Sequence, residues 1–230
     1  INRYPLYQKR KDGKIKLLMK APLHMKDNSL FVYCQRLFDE YKTYKFDSAY
    51  VYANHTLSLA ERLGVKQTIM QARYNLLFCY VSVGYFKEAG EIIQNFDTKG
   101  LSDDLLLNYY KLCLQFYREL ASYDAPTAFL YNKYTAEQQR CYALILNLVP
   151  GNSYTYDQTK LDYDLSNNRL TQTDYINAEL SLLRKYRLSA HERAIAYSLL
   201  GMASHDGGNL NKAIYFMALS AINDLRSSTH

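Results

Sequence analysis

One six-residue outline occurs four times in this chain with almost none of its letters repeated. "YKFDSA" (residues 44–49), "GYFKEA" (84–89), "TDYINA" (173–178) and "GNLNKA" (208–213) share an aromatic residue or Leu at the third place and Ala at the sixth. An outline that persists without its letters is a steric demand, and the residues around the second copy say which one. Before it, Leu76, Leu77, Tyr80 and Val83 recur at the spacing of one helix face, and Gly84 ends that helix. After it, Phe86, Ala89, Ile92, Ile93 and Phe96 make a second apolar stripe at helical spacing. The unit is helix, tight turn, helix. Ala89 sits where the two helices come close, and Phe86 is expected to plug the corner between them.

The other copies take the same template. Tyr197, Leu200 and Gly201 precede the copy at Ala213, and Met217, Ser220 and Ala221 follow it. Around Ala49, Tyr33 and Leu37 lead in, Phe46 takes the corner, and Ala53, Leu57 and Ala60 follow. Around Ala178, Leu161 and Leu165 precede Tyr175, with Leu182 and Leu183 behind. The four Ala positions are separated by 40, 89 and 35 residues, so the long interval hides a further unit. "DDLLLNYYKLCLQFYREL", with Ser102 or Asp103 as N-cap, and "TAFLYNKYTAEQQRCYALILNLVP" supply its two helices. Its corner, "ASYDAPTAF", is longer than the others and carries Pro126, and Pro150 with Gly151 ends the second helix.

Helix pairs at such periods are the mark of a helical solenoid, because one pair cannot bury its own apolar face and stacks on the next. The expected fold is all-α: a right-handed helical-repeat solenoid of five helix pairs, at about 28–63, 66–96, 102–148, 153–187 and 190–226. A basic N-terminal helix and connection (1–27) precede them, and a short tail (227–230) follows.

The outline resembles the tetratricopeptide repeat family. The matching positions are Leu200 with Gly201, the turn glycines Gly84 and Gly208, the repeat alanines Ala49, Ala89, Ala178 and Ala213, and the closing Pro150, over residues 28–226. Arg73 departs from it at an aromatic position and Arg36 at a Leu position, so atypical packing is expected in the first repeat. "RLFDEYKTYKFDSAYVYA", a Tyr-rich middle and "ALSAINDLRSSTH" look like the repeat-bearing sensor region of bacterial membrane-anchored helix-turn-helix transcriptional regulators. That resemblance implies an exported repeat region followed by one transmembrane helix and a cytoplasmic helix-turn-helix segment. It places this chain outside the cytoplasm, in the periplasm, with a cytosolic adaptor scaffold as the alternative. The opening "INRYPLYQ", without Met, is the form expected of a mature or excised chain.

Composition narrows the partners. Residues 1–26 hold Arg3, Lys9, Arg10, Lys11, Lys14, Lys16, Lys20 and Lys26 against Asp12 alone, and the rest of the chain is close to neutral within a net charge of +6. The expected reading is the solvated face of an amphipathic terminal helix; a phosphate-binding stripe is the weaker one, because the cations are not threaded along the repeats. Cys34, Cys79, Cys113 and Cys141 lie far apart in apolar runs without metal-site or disulfide spacing, so buried free thiols are expected. No apolar run approaches the ~20 residues that cross a bilayer.

Catalysis needs convergent groups. The histidines His24, His55, His191, His205 and His230 form no metal-ligand pair and follow no nucleophile motif, and Gly207 with Gly208 lacks the Lys of a phosphate loop. Asp39 with Glu40, and Asp103 with Asp104, point in different directions on a helix. No enzyme, no cofactor and no metal are expected. Tyr is present 24 times and Trp not at all, so many aromatic groups carry a hydroxyl that needs water or a partner. In stacked pairs the first helix of each unit lines the concave surface. The residues in that register are Phe31, Phe38 and Tyr41 in the first unit, Tyr74, Phe78 and Ser82 in the second, and Met202, His205 and Asp206 in the fifth. Phe38, Tyr41, Tyr74, Phe78, Ser82 and His205 are the candidate groove residues for a protein or peptide partner.

Overall fold

The protein is described by a computed structural model over residues 4–20, 25–123 and 127–227. Arg3, His24, Pro126 and His230 lie outside the described residues. Among the described residues every regular element is an α-helix. In chain order they are α1 (Tyr4–Leu18), α2 (Asp27–Tyr41), α3 (Phe46–Leu63), α4 (Lys66–Val83), α5 (Phe86–Gln94), α6 (Asp103–Tyr123), α7 (Ala128–Leu148), α8 (Tyr154–Ser166), α9 (Gln172–Lys185), α10 (Ala190–Asp206) and α11 (Leu210–Ser227). The helices from α2 onward pack as consecutive pairs, as a tetratricopeptide-type helical-repeat fold requires.

Two compact units divide the chain: residues 15–148, and residues 1–14 with 149–230. In the first, α2, α3 and α4 enclose a core of Leu37, Phe38, Tyr41, Ala49, Ala53, Leu76 and Cys79, joined by Ile15 of α1. A second cluster gathers Phe31, Cys34, Leu59, Ala60 and Ala72. In the other unit, Leu183, Ala196, Leu200 and Phe216 hold α9, α10 and α11 together. Ser189 with Glu192 and Thr171 with Asp174 form capping boxes that start α10 and α9.

The turn chemistry follows from the glycines. Gly84 ends α4 in the left-handed region at φ 78°, its N–H bonding back to the Tyr80 and Val81 carbonyls, and Gly208 takes the same region at φ 77° before α11. The alanines of the outline do what close helix approach demands: Ala49, Ala89 and Ala213 are buried. Ala178 is only half-buried, because Tyr175 and Glu179, one turn apart on α9, occupy the interior there. Ala89→Leu adds three heavy atoms at a fully enclosed contact and is expected to cost about 1–3 kcal/mol. Urea denaturation measures it, and an unchanged midpoint would mean that α5 does not pack through Ala89.

The third place of the outline does not plug four corners. Tyr175 is buried, but Phe86 reaches the following pair, its ring centroid 6.0 Å from Phe116 and 5.9 Å from Tyr123 of α6. Phe46 is exposed and stacks on Tyr50 one turn along its own helix, and Leu210 is exposed. Bulk at this place has no single partner: Tyr175 donates 2.7 Å to Asp162 of α8 within its own pair, and half-buried Phe86 meets α6 of the following one. In α1 the cations Lys9, Arg10, Lys14 and Lys16 are exposed, while Lys11 is 7% exposed and Leu17 70%, so the division into a polar and an apolar face is incomplete. All four cysteines are buried and free, and burial pushes the Cys79 and Cys141 thiols up to about 12.

Candidate functional site

The residues expected to line the groove separate into a shell and a support. Phe38 and Tyr41, with Phe31, are buried, so these rings are not open to a ligand. The reason is packing between adjacent helices: Phe38 meets Phe78 of α4 edge-on at 6.1 Å, and Tyr41 stacks on Tyr52 of α3 at 5.6 Å with an interplanar angle of 7°. What remains at the surface is a row on α4 at i, i+4 and i+8. Tyr74 and Phe78 are half-buried and Ser82 is exposed, its hydroxyl donating 2.7 Å to the Phe78 carbonyl of its own helix.

Beside that row lies a polar flank from α2. Asp39 accepts 2.7 Å from Lys42 and 3.4 Å from Gln35 Nε2. Gln35 and Asn75 exchange hydrogen bonds, Asn75 Nδ2 donating 2.7 Å to Gln35 Oε1 and Gln35 Nε2 donating 3.3 Å to Asn75 Oδ1. Gln71 Nε2 also donates to Asn75 Oδ1 at 3.2 Å, and Asn75 Nδ2 reaches Thr56 Oγ1 of α3 at 3.2 Å. Asn75 and Thr56 are fully buried. The network runs from the interior of three helices to an exposed carboxylate, and a buried amide with these partners fixes one register of α2 against α4. Burial pushes the Tyr74 phenol up to about 12, with the Asp39 charge adding to it, so this hydroxyl stays protonated and is a donor at neutral pH.

Gln35 and Asn75 were not among the residues singled out from the sequence. Their one signal is an amide in the middle of the apolar run "YNLLFC", where a solvent-free position asks for a polar partner. Arg73, at a position the repeat outline fills with an aromatic, is half-buried and donates 3.1 Å to the Asn95 carbonyl just beyond α5, a cation at a helix C-terminus.

His205, Met202 and Asp206 belong to the other unit, on α10, and all three are exposed. His205 Nδ1 lies 3.2 Å from Asp206 Oδ1. Among the described residues no group of three His, Cys, Asp or Glu is placed to hold a metal ion, and no helix is long and apolar enough to cross a membrane.

Helix pairs closed by left-handed glycines, close-packed on alanine, with an open face on the first helices, are the geometry of a tetratricopeptide repeat. The family model described as the SusR N-terminal TPR domain matches residues 1–230. The chain belongs to that family. Its TPR domain is an interaction scaffold, and repeat domains of this kind work by binding. A search of curated proteins finds no match to the chain.

Proposed function

We propose that this TPR domain is the non-catalytic sensing part of a bacterial membrane-anchored transcriptional regulator. In that reading the face between α2 and α4 takes up an extended polypeptide or a partner helix. One observation carries the choice of face. Tyr74, Phe78 and Ser82 stand in a row on one helix, beside a polar flank whose position the buried Asn75 holds. Half-buried rings anchor an apolar side chain, while Asp39, Lys42 and Gln35 bond a peptide backbone or its polar groups. The regulator context rests on the resemblance of "RLFDEYKTYKFDSAYVYA" and "ALSAINDLRSSTH" and on the family match, and a place outside the cytoplasm on that resemblance alone. No nucleic acid is assigned to the domain, because the cations of residues 1–26 are local and are not threaded along the helix pairs.

The test uses peptides selected from a displayed random library on the immobilised domain. Ser82→Trp places an indole over the exposed end of the row and is expected to weaken the selected peptides about 10-fold or more, the scale of one interface anchor. The melting temperature should stay nearly unchanged, because Ser82 is exposed and bonds only its own helix. Peptide affinity that ignores this change moves the site elsewhere. Affinity that instead falls steeply with salt and with removal of residues 1–26 assigns binding to the basic segment.

A further inference from the structure

The side of α4 turned away from the candidate groove opens into a cleft. Arg73, Leu76 and Tyr80 recur there at i, i+3 and i+7, opposite Tyr74, Phe78 and Ser82 on the same helix. Glu88, Glu91 and Ile92 of α5, with Asn95 just beyond it, form the facing wall, and Leu57 of α3 closes the floor. The cleft holds about 550 Å³, within the range of small-molecule sites. The helical rise from Glu88 to Asn95 makes it about 10 Å long, room for an aliphatic chain of about six carbons.

Apolar floor and charged rim are distinct. Leu57, Tyr80 and Ile92 are half-buried against the core of α2, α3 and α4, and Leu76 belongs to that core. At one end the Arg73 guanidinium is already engaged, donating 3.1 Å to the Asn95 carbonyl. At the other end burial first, then a hydrogen bond with Tyr50 and the charge of Glu88, raise the Tyr80 phenol above its ordinary value, so Glu88 faces a neutral hydroxyl across the cleft. Glu88 and Glu91 are exposed and one turn apart, and neither meets Arg73, Lys87 or another cation of the described residues at ion-pair distance. The lining therefore carries two carboxylates against one cation, and that cation is held at the far end by a backbone carbonyl.

Carboxylates on a bare surface are satisfied by water alone. Here an apolar floor lies beneath them, so a hydrocarbon stem gains by displacing water from the floor while its charged end stays hydrated at the rim. The sign of that end follows from the lining: a second anion is repelled by Glu88 and Glu91, and a cation compensates them. We propose that the cleft between α3, α4 and α5 is a second binding site, for a protonated amine on an aliphatic stem, with the ammonium beside Glu88 and Glu91 and the stem over Leu57, Leu76 and Ile92.

Methyl chemical-shift titration of the chain with n-hexylamine tests it, with hexanoate as the same length of stem bearing an anion and methylamine as the same head without a stem. The Leu57, Leu76 and Ile92 methyls should shift and saturate with a dissociation constant of about 1 mM, the scale for so small a ligand, and about 10-fold or more below that of either control. Changing Glu88→Gln and Glu91→Gln together should weaken hexylamine about 10-fold without weakening hexanoate, and the melting temperature should be retained because both side chains are exposed. A lysine blocked at both backbone ends separates the two sources of this chemistry. If it binds more tightly than hexylamine, the cleft takes a lysine of a partner chain; if less tightly, a free amine. Hexanoate or methylamine binding as tightly as hexylamine overturns the proposal. So do methyls that stay unmoved up to about 10 mM hexylamine, or binding indifferent to the loss of both carboxylates.

Discussion

Replacing Phe38 by Ala is expected to cost about 3–5 kcal/mol, the range for a buried aromatic truncated in a core that cannot close over the gap. At roughly 2–4 °C per kcal/mol for a chain of this size, the melting temperature falls by about 10 °C. The cause is position: Phe38 is fully buried among Leu37, Tyr41, Leu76 and Cys79, and its ring supports the half-buried Phe78 edge-on. Loss of the ring therefore removes the support of the α2–α4 face as well as core packing. A loss below about 1 kcal/mol would mean an exposed ring, since surface changes rarely exceed that, and would return Phe38 to the list of ligand contacts.

The second large effect concerns pH. Glu179 on α9 is fully buried; Oε1 accepts 2.7 Å from the Tyr154 hydroxyl, and Oε2 has no hydrogen-bond partner. Burial pushes its carboxyl up to about 7, against the lowering effect of the Tyr154 hydrogen bond and with the Asp162 charge raising it further. A folded-state value above the ordinary 4.5 gives a contribution that is fully present below about pH 4.5 and is lost as the pH rises through 7. At 1.36 kcal/mol for each unit of difference, the contribution is on the order of 3 kcal/mol. Glu179→Gln keeps an acceptor for Tyr154 and carries no charge. The difference in unfolding free energy between variant and wild type should move in favour of the variant between pH 5 and pH 8. Parallel pH profiles for the two proteins would show that Glu179 is solvated or paired.

Much of the fold was legible because close helix contact leaves a steric trace. Gly84 and Gly208 sit where only a left-handed turn closes the pair, and Ala49, Ala89 and Ala213 sit where a larger side chain would push helices apart. The corner position was harder to read. Bulk there bonds within its own pair at Tyr175, reaches the following helix at Phe86 and is exposed at Phe46, and no local pattern encodes that. The candidate face was legible by register alone. Helical period selects Phe38, Tyr41, Tyr74, Phe78 and Ser82 for one side, yet it does not say how deeply α2 sinks beside α4. The ring contacts to Phe78 and Tyr52 decide that Phe38 and Tyr41 are support. The Asn75 network stayed hidden for a related reason. Its partners lie 40 residues away at Gln35 and 19 away at Thr56, and tertiary pairing at such distance leaves no periodic signal.

The central claim is that the α2–α4 face recognises a polypeptide, and site-specific photo-crosslinking tests it most directly. A photoreactive amino acid would replace Ser82 on that face in one variant and Lys16 on the basic segment in another, each expressed in the native host as the natural full-length gene product. The account predicts a discrete polypeptide adduct from position 82 that is lost with Tyr74→Ala and is not formed from position 16. Adducts from position 16 alone, or a position-82 adduct that Tyr74→Ala leaves intact, would contradict it.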